Sequence, residues 1–137
     1  MSYLKMEGTT DYLVAFPALL SSFKVSTGWS VTAGQAVSLD SSGNVFPSTM
    51  ADASSFVGIV YQNQTAGNIV GVINWGYVKN IVASGSITPG SWLTIASGSV
   101  NGLFAPYSLT DPKAIVGKAV TSPSTSSTFM AFISALG

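Results

Sequence analysis

The phrase DASSFVGIV, Asp52 to Val60, returns as DPKAIVGKAV, Asp111 to Val120; each sets an Asp a few residues ahead of a Gly that lies among Val and Ile. The echo extends on both sides. Thr32, Gly34, Val37 and Leu39 are answered in order by Thr88, Gly90, Leu93 and Ile95. After a short insertion, Gly43, Pro47, Asp52 and Gly58 are answered by Gly102, Pro106, Asp111 and Gly117. NIVGVI, Asn68 to Ile73, then faces TFMAFI, Thr128 to Ile133. Landmarks repeated in one order make the chain two related units, because internal similarity reports on the whole architecture. The units run over 32–80 and 88–137, within a β domain of 31–137. Residues 1–30 stand outside the repeat as an N-terminal arm or capping segment.

The repeated part reads as strands. QAVSLD, FVGIVYQ, NIVGVINW, YVKNIVA, SWLTIA, AIVGKAV and TFMAFIS are rich in Val, Ile, Thr and aromatics and are bounded by Gly, Pro, Ser, Asn or Asp. No stretch there sustains a helical apolar period. The expected fold is all-β, a compact barrel or sandwich of short strands built from the two repeats. Ser41–Asn44 and Val100–Gly102 are the expected hairpin turns, with Gly at a positive φ. STMADASS and SLTDPKA each predict one helical turn, capped by Ser48 and Thr110. Gly58 and Gly117, inside apolar strands, predict corners where a second backbone comes close.

Composition narrows function. Charged residues make up 7% of the 137 residues, against roughly 25% in ordinary soluble domains. Polarity comes instead from 22 Ser and 12 Thr. A surface with few charges and no net charge has weak colloidal repulsion, so the chain is read as one that works packed against copies of itself or a larger partner. Five lysines balanced by five carboxylates make no basic patch for phosphates, so no nucleic-acid partner is expected. The uncharged run Tyr12 to Phe23 is broken by Pro17 and falls short of the roughly 20 residues a membrane span needs. Glu7 and Asp11 do not suit a secretory leader, so the expected place of folding is the cytoplasm of the cell that makes the chain.

Catalytic chemistry finds little to use. With no His and no Cys there is no Ser/His/Asp triad and no thiolate. Ser21 and Lys24 meet a loose Ser-x-x-Lys spacing without its companion motifs. Lys118 in VGKAV lacks the preceding Gly and following Ser or Thr of a phosphate loop, and reads as an outward side chain on a strand. Asp40, Asp52 and Asp111 are isolated, where calcium needs a dense oxygen cluster, and an Asp in a turn ordinarily bonds its own backbone. No enzyme, cofactor or metal is expected.

Gly34, Val37, Leu39, Asp40, Gly43 and Val45, then Val57, Gly58, Ile59 and Val60, then Gly67, Val70, Val72 and Gly76, form a series that resembles the small cement, or head decoration, proteins of tailed bacteriophages. The second copy carries it in Gly90, Leu93, Ile95, Gly102, Val116 and Gly117, with Ala96 where Asp40 stood. The resemblance covers about residues 30–137. It implies a β-rich structural protein, often a homotrimer, on the outer surface of the virion, bound to the major capsid protein and bridging capsomers. The N-terminal segment matches no part of it. Its oily residues Tyr3, Leu4, Tyr12, Phe16, Leu19, Leu20 and Phe23 are the candidate capsid or subunit interface. The alternatives are another phage part, such as a tail tube, baseplate or fibre module, or a carbohydrate-binding surface module. Trp75, Tyr77 and Trp92 are the candidates for a sugar platform, although packing inside the barrel is the expected place for all three.

Overall fold

In a computed structural model the described residues are 4–5, 12–96, 102–107, 115–123 and 128–135, with side chains described from residue 19 on, apart from 50 and 53. The strands are β1 Leu4–Lys5, β2 Tyr12–Lys24, β3 Ser30–Val31, β4 Ala36–Leu39, β5 Val45–Pro47, β6 Phe56–Val60, β7 Gln64–Thr65, β8 Ile69–Val82, β9 Trp92–Ile95, β10 Phe104–Pro106, β11 Gly117–Ala119 and β12 Thr128–Ser134. One 3₁₀ turn, Met50–Ser55, precedes β6. The fold is all-β: a strongly curled antiparallel sheet forming a half-barrel. β3 and β7 make a separate small pair.

The large sheet is organised around β8. The two runs read from sequence as separate strands around Gly76 are one strand of 14 residues, because Gly76 carries its φ of 135° without a side chain to clash. β2 pairs with β8 from Val14 opposite Val78 to Lys24 opposite Ile69. Along the other edge of β8, β6 pairs with Val72 and Ile73, and β12 pairs from Trp75 to Val82. From these junctions the order runs β6-β4-β5 on one side and β12-β11-β9-β10 on the other.

The same hydrogen bonds recur in the two halves. Gly34 N–H donates to the Val60 carbonyl as Gly90 N–H does to that of Ala119, and Val60 N–H to Gln35 as Ala119 N–H to Ser91. Val25 and Ala83 each form a parallel bridge, to Val45 and Phe104. Gly43 and Gly102 also correspond, with positive φ of 79° and 83°. The close approach expected of the doubled glycines is present in both: a Cβ on Gly58 would lie 2.1 Å from the Ile73 carbonyl oxygen, and one on Gly117 2.4 Å from that of Phe132.

Asn74 sits where the halves meet on β8, between the last β6 pairing at Ile73 and the first β12 pairing at Trp75. Its side-chain N–H donates to the Val57 carbonyl at 2.7 Å, its Oδ1 accepts from the Ser21 hydroxyl of β2, and its backbone carbonyl accepts from Ala135 N–H at 2.9 Å. One buried amide thus joins three strands, satisfying groups that would be costly to leave unpaired. The main core also spans both halves, with Ile59, Ile73, Ile81, Leu93, Ile95, Phe104 and Ile133 fully buried. Phe104 packs edge-on to Phe56 and Phe129, with centroids 6.5 and 6.3 Å away.

The helical turn forms at the first predicted place, but Ser48 does not cap it. Ser48 and Ser38 are fully buried and share a hydrogen bond of 2.6 Å, Ser38 in turn donating to the Asp52 carbonyl. Thr49 opens the turn instead, its carbonyl accepting from Asp52 N–H and its hydroxyl donating to the Asp52 carboxylate. The second predicted turn and Thr110 lie outside the described residues.

Asp40 closes the β4–β5 hairpin as an Asp in a turn is expected to. Its carboxylate accepts from the Ser26 hydroxyl and from the N–H groups of Ser42 and Asn44. These bonds, Ser26 first, hold its pKa below the ordinary carboxylate value. A depressed folded pKa stabilises the fold above the unfolded value, near ~4, and that contribution is lost as pH falls through the lower folded one. Urea melts taken across that window should therefore show Asp40→Asn less stable than the parent at neutral pH, with the difference shrinking as acid is added.

Candidate interaction face

Side chains on paired strands share a face when their residues are directly opposed. Lys118 of β11 is opposed by Trp92 of β9 on one side and by Phe132 of β12 on the other. Phe132 is in turn opposed by Tyr77 of β8. The four form one line across four strands, on the outer side of the curled sheet; Gly117 and Ala119, flanking Lys118, and Ala131 and Ile133, flanking Phe132, are buried on the inner side. A second, shorter line passes from Ser134 through Trp75 to Leu19.

The rings brace one another. Trp75 and Tyr77 meet Phe132 in near-perpendicular contacts, at centroid distances of 5.0 and 5.1 Å. Lys118 Nζ lies 4.8 Å from the Trp92 ring centroid, a cation–π geometry. A cleft of about 290 Å³ opens beside this line, walled by Trp92, Ile115, Lys118, Phe132 and Ser134. Trp92 is 53% exposed and Tyr77 41%, while Trp75 is half-buried. The expectation that all three pack inside the barrel is therefore corrected. Their alternation with buried Gly76 and Val78, and with buried Leu93, turns them to the convex side.

The N-terminal candidates are placed differently. Tyr3 lies outside the described residues. Leu4 belongs to β1, and Tyr12 and Phe16 to β2, so that residues 12–24 form a strand of the sheet; no α-helix is found among the described residues. Pro17 is absorbed where the β2–β8 register shifts between Ala15 and Ala18, since an irregularity is where a strand tolerates a residue without an N–H. Leu19 and Leu20 are each about half exposed, and Phe23 packs against the smaller core of Val25, Val31, Val37, Val45, Val60, Val70 and Val72. Beyond β1, which pairs at Tyr12 and Val14, no described strand covers the outer edge of β2.

Asp111 lies outside the described residues; among those described, no group of three His, Cys, Asp or Glu residues is placed to hold a metal. Lys118 projects outward from its strand. Sequence reading missed Phe132 and Lys118 as members of the exposed row, because their neighbours are set by the pairing of β12 with β8 and of β11 with β9. The W-G-Y alternation at 75–77 was the local sign that two aromatics share a face.

No family model matches the chain, and no curated protein matches it. Among solved structures it is similar to the crystal structure of head fiber gp8.5 N base in bacteriophage phi29. The superposition has a TM-score of 0.57 at 16% identity and covers 85% of this chain and 96% of that one. The two share a fold. The likeness takes in nearly all of that chain and most of this one, so it is not confined to a single hairpin.

Proposed function

We propose that this chain is a structural component of a phage virion, a decoration protein that docks on the outer surface of the head and bridges neighbouring capsomers. The observation that carries the reading is the fold it shares with the base of a phage head fibre, over 96% of that chain. Its composition supports the same reading, since few charges and many hydroxyls suit a protein covered by neighbours. The partners proposed are the major capsid protein and further copies of the chain in a trimer. The edge of β2, with half-exposed Leu19 and Leu20, is the proposed contact. An uncovered strand edge offers backbone pairing, and apolar side chains beside it offer burial. Modest contacts repeated around a closed shell add up through effective concentration, so no covalent chemistry is needed.

The test is addition of purified protein to heads of the parent phage stripped of it, to unexpanded precursor shells and to tail tubes, followed by sedimentation and electron microscopy. Saturable binding to expanded heads is expected, weakened at least tenfold by Leu19→Asp with Leu20→Asp, and little affected by ionic strength. Binding to tail tubes alone, or to no shell, would overturn the reading. Images showing a low knob rather than a projecting fibre would separate decoration from fibre attachment.

A further inference from the structure

We propose that the row Trp92–Lys118–Phe132–Tyr77 is a binding site for an anionic polysaccharide, a function separate from attachment to the head. Three observations carry it. The first is spacing. Because the row crosses the strands, successive positions are separated by the interstrand distance, roughly 4.8 Å. That is close to the length of one pyranose ring in an extended glycan, so each ring of a chain laid along the row meets a new side chain. The C–H groups on the flat side of a pyranose are weakly positive and suit the negative faces of Trp and Tyr.

The second is the cleft beside the row, about 290 Å³, with aromatic walls in Trp92 and Phe132 and polar groups in Lys118 and Ser134. An apolar cleft with a few convergent polar groups is the ordinary form of a small-ligand site. The Trp75–Phe132 and Tyr77–Phe132 contacts hold its rings in place before any ligand arrives, which lowers the ordering cost of binding.

The third is charge. Lys118 stands in the middle of the row, and Lys79 is exposed two residues beyond Tyr77 on β8. The acidic side chains described, Asp40 and Asp52, belong to the other half, in the β4–β5 turn and the 3₁₀ turn. The face thus offers cations and, among the described residues, no anion. A sugar acid at Lys118 gains a charge-assisted hydrogen bond, while its ring lies against Phe132 or the open face of Trp92. Cores of protein interfaces are rich in aromatics but depleted of Lys, so a row of rings with Lys118 at its middle favours an anionic ligand over a protein partner.

The experiment uses the full chain with three probes: polygalacturonate, dextran sulfate and, as an anion without sugar rings, polyglutamate. Affinity electrophoresis and quenching of tryptophan fluorescence are read together. At least one sugar polyanion is expected to retard the protein and quench its fluorescence, and polyglutamate to do neither. Trp92→Ala should weaken sugar binding about tenfold or more, and Lys118→Gln should weaken it and flatten its salt dependence, with thermal melts unchanged because both residues are exposed. Lys24→Gln, distant on β2, should have no effect. The proposal is overturned if neither sugar polymer binds, if polyglutamate binds as well as they do, or if Trp92→Ala and Lys118→Gln both bind like the parent. Each of these results is independent of whether the protein attaches to heads.

Discussion

Gly58→Ala is expected to lower the melting temperature by about 15 °C, more than the same substitution at Gly117, Gly67 or Gly85. Two costs coincide there. The residue has a φ of 147°, which side chains rarely adopt, and the new methyl would meet the Ile73 carbonyl oxygen at 2.1 Å and Val72 Cγ1 at 2.7 Å. Backbone strain of ~1–3 kcal/mol and overpacking of ~1–3 kcal/mol give about 4 kcal/mol together, at about 4 °C per kcal/mol for a domain of this size. Other glycines separate the two causes. Gly67 has a φ of 82° with open space around it, Gly117 has the close contact alone, and Gly85 has neither. The expected order of loss is therefore Gly58, then Gly117, then Gly67, with Gly85→Ala near neutral; scanning calorimetry reads all four. A Gly58→Ala protein as stable as the parent would mean that β6 and β8 are not in contact at this point.

Phe104→Ala should cost about 4 kcal/mol, the range for removing a fully buried aromatic ring from a close-packed core. The more telling observable is the shape of the transition. Phe104 belongs to the second half by its strand, yet it touches Phe56 of the first half as well as Phe129. Backbone bonds cross at the same place, from Ala36 N–H to the Gly102 carbonyl and from Gly102 N–H to the Ser48 carbonyl. Parent and variant should therefore each melt in one cooperative step, with the calorimetric and van't Hoff enthalpies equal. Two resolved transitions in the variant would mean that the halves are separable units.

What could be read from the chain itself was local. The strand-bounding turns at Gly43 and Gly102, the self-bonded Asp40 and the crowding around Gly58 and Gly117 all depend on neighbours within a hairpin or on the freedom of a single residue. A glycine in an apolar run looks like a boundary, as Gly76 does, whereas pairing on both edges carries β8 through it. Residue type suits Ser48 to a capping role, but burial against Ser38 gives it another. The candidate face was the least legible feature. Whether Trp75, Tyr77 and Trp92 point in or out follows from strand parity, and which side chains stand beside them follows from the register of strands far apart in sequence. Tyr77 and Phe132, which touch, come from β8 and β12.

The partnership of β2 with β8 also governs the order in which the molecule can assemble. Tyr12–Lys24 emerges from the ribosome ahead of the strand it must pair with, which ends at Val82. Until then β2 has only the two-residue β1 to pair with among the described strands, and Leu19 and Leu20 remain in solvent. Closure of so long a loop before the β2–β8 ladder forms places the chain among slow folders, in the range of milliseconds to seconds. Through that interval its exposed strand is also the segment most open to capture by a chaperone or by the same strand of a second nascent chain.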